Sequence, residues 1–186
     1  MPSPRIDDFE LLTCLFGVFR RHGYEGTSLS DLCAASGLQR ASLYHRFPAG
    51  KLGMAQAVLD HVSALLEEEI FPSLEGSGEP EVRLRKFSKA LRTFYEDGAA
   101  PCLIDAFTLT SSEPSLQERI RAGVDRWLQA LIKLSRDSGC KTADAKRRAE
   151  RSLAAIQGGL VLSRSMGETT PFRRALSDLP ELLLEV

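Results

Sequence analysis

The chain has 186 residues, with 24 lysine and arginine residues against 25 aspartate and glutamate residues, which gives a formal net charge of −1 at pH 7. Hydrophobic residues make up 43% of the chain, which excludes a disordered protein, and the length fits one domain or a small module joined to a larger one. The balanced charge excludes a polybasic coat, so any contact with nucleic acid must come from a local patch.

The apolar residues recur with the spacing of amphipathic α-helices from the first segment onward. Residues 6–22 form a broad apolar stripe that is followed by Gly23, a residue suited to a helix end. Two short helices are expected next, and then a long helix over about residues 51–71. Pro72 and residues 73–80, "SLEGSGEP", are predicted to form a loop because they are rich in glycine, serine and proline.

Helical spacing resumes at Glu81 and continues to Asp97. A short helix is predicted from Pro101 to about Thr110, since proline is tolerated in a first helical turn. Three further amphipathic helices are predicted, over residues 115–138, 143–166 and 172–184. No segment alternates β-branched and polar residues as a strand would. The predicted fold class is therefore all-α, with about nine helices and no internal repeat.

Neither membrane insertion nor secretion is expected. The longest uncharged stretch, residues 152–163, falls short of the ~20 apolar residues that cross a bilayer. The first ten residues lack the basic start and apolar core of a secretory signal. No CxxC pair or cysteine–histidine cluster is present, so neither a zinc site nor a disulfide framework is expected. The sequence therefore predicts a soluble, cytoplasmic protein without a metal site.

The segment 27–51 carries the most information. Ser28 and Asp31 have the spacing of a variant capping box, which defines the start of a short helix. Gly37 ends this helix after about two turns, and a second short helix follows a tight turn. A small residue at the helix crossing, Cys33, and a glycine four residues later are what a helix-turn-helix motif requires.

The second short helix is expected to present hydrogen-bond donors to the solvent, namely Gln39, Arg40, Ser42, Tyr44 and His45. From Arg20 to Lys51 there are five basic side chains and two acidic ones, a local net charge of +3. A positive face inside a neutral chain suits contact with the phosphates of nucleic acid.

Residues 23–51, "GYEGTSLSDLCAASGLQRASLYHRFPAGK", resemble the N-terminal domain of the TetR family of bacterial transcriptional regulators. The matching features are Gly23-Tyr24, Thr27-Ser28, Ala35-Ser36-Gly37-Leu38, and Leu43-Tyr44-His45-Arg46-Phe47 followed by Lys51. The remainder agrees with the family in length and helical pattern. Gln39 stands where the family often has a serine or threonine cap, so the second helix is expected to start less rigidly.

The resemblance implies a helix-turn-helix DNA-binding domain at residues 1–50 and an effector-binding and dimerisation domain at residues 51–186. It implies a ligand-responsive repressor that binds a palindromic operator in double-stranded DNA as a homodimer. The implied DNA-contacting residues are Thr27, Ser28, Gln39, Arg40, Ala41, Ser42, Tyr44, His45 and Lys51. Arg40 is assigned to a guanine edge or a nearby phosphate, a bidentate guanine contact being worth ~1–3 kcal/mol. Helix capping alone by Ser28, and packing by Tyr44, are the alternatives at those positions.

Six residues of the C-terminal part are candidates for lining an effector site: Phe87, Leu91, Phe94, Cys102, Phe107 and Trp127. Their apolar character suits a small apolar or aromatic molecule. Aromatic residues at helical spacing also fill ordinary cores, and Cys102 is either a small core residue or a redox-sensitive thiol at a helix start.

The resemblance also implies that the helices over residues 115–138 and 143–166 pack against their copies in a second subunit. Four small residues, Ala154, Ala155, Gly158 and Gly159, would permit the close approach of helices there. Burial of these residues inside one subunit is the alternative.

An enzyme is not expected. The three histidines all lie within the first 61 residues, and no GxSxG motif, phosphate loop or dinucleotide-binding glycine pattern is present. No cofactor is expected beyond an unknown small-molecule effector. The alternative to a DNA-binding regulator is a helical protein-interaction module without DNA binding, which would not shift duplex DNA even at low salt.

Overall fold

The computed structural model describes residues 6–108 and 113–184, and within these ranges the secondary structure is helical. The α-helices are α1 (Asp8–Gly26), α2 (Leu29–Ser36), α3 (Arg40–Arg46), α4 (Gly50–Glu69), α5 (Phe71–Glu75), α6 (Pro80–Phe94), α7 (Leu103–Thr108), α8 (Pro114–Asp137), α9 (Thr142–Met166), α10 (Thr170–Ser177) and α11 (Leu179–Leu183). A single 3-10 turn at Glu96–Gly98 follows α6. The predicted all-α fold class is confirmed.

The helices outnumber the prediction because two of the expected long helices are each divided. The helix expected to reach residue 71 ends at Glu69, and α5 restarts with Pro72 in its first turn. The last helix divides at Asp178, and α11 restarts with Pro180 in its first turn. Proline disrupts a helix interior because it lacks an N–H and its ring clashes with the preceding turn, whereas a first turn accommodates it. The loop predicted to begin at Pro72 consequently begins only at Gly76.

The ends of α1 and α7 differ from the predicted boundaries. Asp7 caps α1 by accepting a hydrogen bond of 2.7 Å from the backbone N–H of Glu10. Gly23 has a φ of 66° and interrupts the helical conformation, as predicted, but one further turn follows it as far as Gly26. The helix predicted from Pro101 begins at Leu103, and its predicted end near Thr110 lies outside the described residues.

The chain folds as two compact units, the first of which comprises the described residues up to Ala64 and those from Leu103 to Arg121. Within it, α1 packs against α2 and α7, and α2 packs against α3. Fully buried side chains from these helices form its core, among them Leu15, Phe19, Leu32, Leu43 and Phe107. Burial of this apolar surface stabilises the arrangement of the three N-terminal helices.

The second unit comprises residues 65–102 and the described residues from Ala122 onward. Its helix α9 packs against α10 and α11, and α5 packs against α6. Its core includes Phe71, Phe87, Leu131, Leu160 and Phe172, each at most 2% exposed. The predicted boundary at residue 50 separates the DNA-binding domain from the effector-binding and dimerisation domain. It does not coincide with the division into these two units, and it stays a prediction.

The two longest helices, α8 with 24 residues and α9 with 25, are amphipathic. In α8 the buried positions include Leu116, Trp127, Leu131 and Leu134, which recur at helical spacing. Within the described ranges, no helix combines the length and the apolar character needed to cross a bilayer.

Candidate nucleic-acid interface

The start of α2 is secured by a reciprocal capping box. The Asp31 backbone N–H donates to Ser28 Oγ over 3.2 Å, and the Ser28 backbone N–H donates to Asp31 Oδ2 over 3.0 Å. The Ser28 hydroxyl donates to the same carboxylate oxygen over 2.6 Å. The two hydrogen bonds that the carboxylate accepts from Ser28, the one from the hydroxyl first, lower the pKa of Asp31 below its ordinary value. The predicted capping role of Ser28 is confirmed, and its contact with a phosphate stays a prediction.

The turn between α2 and α3 has the geometry that the motif requires. Gly37 adopts φ 66° and ψ 7°, a left-handed conformation that glycine enters without the steric cost a side chain would add. The Ser36 hydroxyl donates to the Leu32 carbonyl over 2.7 Å and accepts from the Leu38 N–H over 3.3 Å. With Leu38 buried after the turn, α3 is held at a defined angle to α2.

Helix α3 is anchored by one side chain and exposes most of the others. Leu43 is fully buried, whereas Ser42 is half-buried. The remaining predicted contact residues of this helix and its cap are exposed, namely Gln39, Arg40, Ala41, Tyr44 and His45. Gln39 occupies the N-cap position of α3, and its side chain makes no capping hydrogen bond. This agrees with the less rigid helix start expected for a glutamine in place of serine or threonine.

Tyr44 combines the two roles considered for it. A Cβ at Gly50 would lie 3.2 Å from its ring, so the ring covers the backbone at the start of α4. The residue nevertheless remains 43% exposed. One part of the ring therefore packs on the backbone at Gly50, and the rest is exposed to solvent. From this position a phenolic hydroxyl can donate to a phosphate.

Thr27 is buried rather than presented to the solvent. It is 2% exposed, and its hydroxyl donates to the Gly23 carbonyl over 2.6 Å. Its backbone N–H donates to the Tyr24 carbonyl over 3.3 Å, so Thr27 closes the end of α1. The structure therefore shows a local role for Thr27 that sequence reasoning missed, and its contact with DNA stays a prediction.

Lys51 is likewise engaged within the protein. Its ammonium donates to the Tyr24 carbonyl over 3.0 Å and to the Thr27 carbonyl over 3.3 Å, and it lies 4.5 Å from the centre of the Tyr24 ring. An ammonium has three N–H donors, so these contacts leave one for a phosphate. The start of α4 is thereby joined to the end of α1, an arrangement that the charge pattern alone did not indicate.

Arg46 is a residue of the interface region to which sequence reasoning assigned no role of its own. Its guanidinium donates to Asp8 Oδ1 and to the Ile6 carbonyl, each over 3.0 Å. The last turn of α3 is therefore held to the first turn of α1. In the sequence, Arg46 is recognisable only as a basic residue that matches the family motif. Nothing in the motif indicates that it contacts Asp8 and Ile6.

The candidate effector residues divide between the two units. In the second unit, the ring centroid of Trp127 lies 5.9 Å from that of Phe87 and 5.2 Å from that of Phe71. Leu91 is fully buried, and Phe94 is half-buried. These contacts are those of a packed core, and a role in ligand binding stays a prediction.

Cys102 and Phe107 have different surroundings. Cys102 is 3% exposed, and its sulfur accepts from the Tyr95 hydroxyl over 3.6 Å and from the Gln157 amide over 3.5 Å. Phe107 belongs to the first unit, where its ring packs 5.4 Å from that of Phe19. The spacing of aromatic residues in the sequence did not show that Phe107 belongs to a different unit from the other effector candidates.

An ionic cluster in the second unit was also not predicted. The Arg126 guanidinium donates to Glu67 Oε1 over 2.6 Å and to Glu75 Oε1 over 2.7 Å, and it lies 4.2 Å from the centre of the Phe71 ring. Hydrogen bonds from Arg126 lower the pKa of Glu67, and those to Glu67 and Glu75 raise the pKa of Arg126. Among the described residues, no three histidine, cysteine or acidic side chains converge as metal ligands would.

Comparisons with known protein families match both parts of the chain. The sequence model of the bacterial regulatory proteins of the TetR family matches residues 16–58. The model of the C-terminal domain of LmrA/YxaF-like transcriptional regulators matches residues 80–177. The HTH-type transcriptional regulator LmrA of Bacillus subtilis is 28% identical over 94% of this chain and 95% of its own length. YxaF of the same organism is 24% identical over 89% of each chain.

Solved structures show the same fold. A TetR transcriptional regulator from Legionella pneumophila superposes with a TM-score of 0.86 at 19% identity, covering 97% of this chain and 99% of its own. A cysteine mutant of the TetR family regulator CifR, solved with 26-bp double-strand operator DNA, gives a TM-score of 0.73 at 20% identity over 96% of each chain.

Proposed function

The chain belongs to the TetR family of bacterial regulatory proteins, which are DNA-binding transcriptional regulators, and on this premise we propose that it is an effector-responsive repressor. In this proposal it binds a palindromic operator as a homodimer in the cytoplasm and leaves the operator when a small molecule binds. It catalyses no reaction and works by binding alone.

The observation that supports this function most directly is the surface of α3. The side chains of Gln39, Arg40 and His45 are exposed, and none of them is bonded to another described residue. The major groove of B-DNA is about 12 Å wide and admits one α-helix. A guanidinium on such a helix can donate to O6 and N7 of one guanine, so we assign base recognition to Arg40 and Gln39, with Ala41 and Ser42 beside them.

Phosphate contacts position the helix in the groove, and we assign them to residues flanking α3. Tyr44 would donate through its hydroxyl, and Lys51 through the N–H that its carbonyl contacts leave. Thr27 and Ser28 lie at the start of α2, where unpaired backbone N–H groups favour an anion. The hydroxyls of Thr27 and Ser28 are occupied locally, so these two would contribute chiefly by holding the backbone in place.

The homodimer is supported by an uncharged stripe on α9. From Ala154 to the end of the helix none of its exposed residues is charged: Ala154, Gly158, Val161, Leu162, Ser165 and Met166. Leu162 is 53% and Val161 39% exposed, and such apolar residues in a row favour burial against a second copy. Two DNA-binding domains are needed because one helix-turn-helix offers few base contacts. The two-fold symmetry of a homodimer then implies a palindromic operator.

The effector is proposed to be a small apolar or aromatic molecule that binds in the second unit beside Phe87, Leu91, Phe94, Cys102 or Trp127, with Phe107 as a further candidate in the first. It can displace the protein from DNA only if it binds the free and DNA-bound conformations with different affinities.

The experiment that tests DNA recognition begins with selection of bound duplexes from random DNA. The selected duplex and a scrambled one are then compared by gel shift for the parent, Arg40→Ala and Arg174→Ala, which removes an exposed arginine of α10. We expect Arg40→Ala to lose most discrimination between the duplexes, at a cost of ~1–3 kcal/mol on the selected one, and Arg174→Ala to keep it. Parent-like discrimination by Arg40→Ala, or no shift by the parent even at low salt, would contradict the proposal; the latter would favour an interaction module.

Trp127, the single tryptophan of the chain, reports on the effector. A true effector should change its fluorescence and weaken operator binding over the same concentration range. Compounds that change the fluorescence and leave operator affinity unchanged would refute the switching mechanism.

A further inference from the structure

A groove in the second unit lies apart from the candidate nucleic-acid interface and from the candidate effector residues. It has a volume of about 720 Å³ and opens between α6 on one side and α10 and α11 on the other. Its lining from α6 recurs at helical spacing, at positions 81, 84, 85, 88, 89 and 92. The other side contributes Arg173, Leu176, Ser177 and Pro180. The effector candidates Phe87 and Leu91 are not among the residues that line it.

The groove is basic, although the chain as a whole carries a formal net charge of −1. Four cationic side chains line it, namely Arg85, Lys89, Arg92 and Arg173, against one acidic side chain, Glu81. Arg85 and Lys89 form no ion pair with any residue that the structure describes. Their charges are therefore available to a ligand.

Asp97 holds the other two cations in place at one end of the groove. Arg92 Nε donates to Asp97 Oδ1 over 2.5 Å, and Arg173 Nη2 donates to Asp97 Oδ2 over 3.0 Å. Hydrogen bonds from Arg92, and then from Arg173, lower the pKa of Asp97, so this carboxylate is ionised at neutral pH. A guanidinium has five N–H donors, so each arginine retains several after binding Asp97.

Three apolar residues line the groove together with Ser88 and Ser177. Leu84 and Leu176 are 2% and 5% exposed, and Pro180 continues this surface from α11. The methylene stems of the lysine and arginine side chains extend it upward, because these side chains bury their stems while their charged ends stay in water. A ligand in the groove would therefore meet both apolar carbon atoms and cationic groups.

We propose that this groove binds a small organic anion with an apolar body, of the class of fatty or aromatic carboxylates. The carboxylate would receive charge-assisted hydrogen bonds from Arg85 and Lys89, which are stronger than neutral ones. The apolar body would cover Leu84, Leu176 and Pro180. The volume lies within the roughly 300–1,000 Å³ typical of small-molecule sites, and an inorganic phosphate would leave the apolar surface uncovered.

Decanoate and decanol are the probes that test the proposal, since they share an apolar body and differ in charge. Binding is measured by isothermal titration calorimetry, below the concentration at which decanoate forms micelles. The test variant is Arg85→Gln/Lys89→Gln. The matched control, Lys86→Gln/Arg174→Gln, removes the same charge from exposed residues of α6 and α10 that do not line the groove.

We expect the parent and the control to bind decanoate with affinities within about threefold of each other, and the test variant to bind at least about tenfold more weakly. Decanol should bind the parent far more weakly than decanoate. A charge-conserving variant, Arg85→Lys/Lys89→Arg, should retain binding, and it keeps the test decisive if the glutamine variant fails to fold.

Four results would overturn the proposal. They are absence of decanoate binding to the parent, equal binding of decanol and decanoate, equal loss in the test and control variants, and preference of the parent for a glutamate-rich decapeptide over decanoate. The last result would assign the groove to an acidic protein segment. The operator gel shift is measured in parallel, so failure of this site can be distinguished from failure of DNA binding.

Discussion

At the scale of single residues, Lys51 supports the fold of the DNA-binding region as well as its charge. Its ammonium is the donor for the Tyr24 and Thr27 carbonyls at the end of α1. The Tyr24 carbonyl also accepts the Thr27 backbone N–H, and the partial negative charge of the carbonyls at a helix C-terminus makes a cation there favourable. Loss of Lys51 should therefore reduce stability in addition to DNA affinity.

We predict that Lys51→Met lowers the free energy of unfolding by about 1–3 kcal/mol, because two carbonyls lose a charged donor and the contact with the Tyr24 ring is lost. Urea unfolding followed by circular dichroism measures the change. Lys86→Met is the matched control, since Lys86 is exposed on α6 and should change stability by less than about 0.5 kcal/mol. Equal midpoints for the two variants would mean that Lys51 serves DNA binding alone.

At the scale of secondary-structure elements, α9 places two neighbouring glycines on different surfaces. The sequence places Gly158 and Gly159 on one dimer surface, with burial inside one subunit as the alternative, and for Gly159 the structure shows burial inside the subunit. A Cβ at Gly159 would lie 3.0 Å from the Cα of Phe172 and 3.0 Å from the Cβ of Ala175, so this glycine permits α10 to approach within the subunit. A Cβ at Gly158 meets nothing within 4 Å.

We predict different effects for the same substitution at these adjacent positions. Within one subunit, Gly158→Ala should stabilise α9 by up to about 1 kcal/mol, because alanine has a higher helix propensity than glycine. Gly159→Ala should be less stable than Gly158→Ala by about 1–3 kcal/mol, because its methyl group crowds the backbone of α10. Thermal unfolding of the two variants checks this, and equal melting temperatures would contradict the assignment of Gly159 to the α9–α10 contact.

Of the two glycines, Gly158 is therefore the one that we expect at the dimer interface. Gly158→Glu should give monomers that retain helical content and lose high-affinity operator binding, because a desolvated carboxylate would face its copy across the two-fold axis. Light scattering at micromolar concentration measures the assembly, with Arg147→Glu, an exposed position of α9 before the uncharged stripe, as the control. A Gly158→Glu dimer, or a monomeric parent, would refute the proposed interface.

At the scale of the whole molecule, stability should depend on pH through paired carboxylates. Hydrogen bonds from Arg126 lower the pKa of Glu67, and those from Lys133 and then Arg83 lower the pKa of Asp137. A carboxylate whose pKa is lower in the folded state binds fewer protons there than in the unfolded state. Its contribution to stability is present above its unfolded pKa and is lost as the pH falls through its folded pKa.

We predict that Arg126→Gln lowers the free energy of unfolding by about 1 kcal/mol at pH 7, because two partly exposed ion pairs are lost. The difference from the parent should start to shrink once the pH falls below the ordinary glutamate pKa of 4.5, where Glu67 is protonated in the unfolded state, and it should be lost as the pH falls through the lower pKa of the folded state. Urea unfolding at a series of pH values measures it, with Arg121→Gln, exposed on the same helix, as the control. A difference that stays constant into strong acid would exclude Glu67 as its source.

The sequence by itself determined the features that depend on residues close together along the chain. The capping box of Ser28 and Asp31 was predicted because the two residues are three apart, and the end of α2 at Gly37 was predicted because glycine enters a left-handed conformation without steric cost. The all-α class followed from helical spacing, which is also local. The exposed surface of α3 could be listed from the motif, although its contacts with DNA remain predictions.

Only the tertiary structure decided which distant groups meet. Lys51 reaches a carbonyl 27 residues earlier, and Arg46 reaches one 40 residues earlier. Phe107 packs with Phe19 in the first unit although its spacing matched aromatic residues of the second. Successive residues of an α-helix point about 100° apart, so identical neighbours such as Gly158 and Gly159 face different partners. Composition and local spacing do not show which partner a side chain meets. Only the packing of helices that are far apart in the chain decides it.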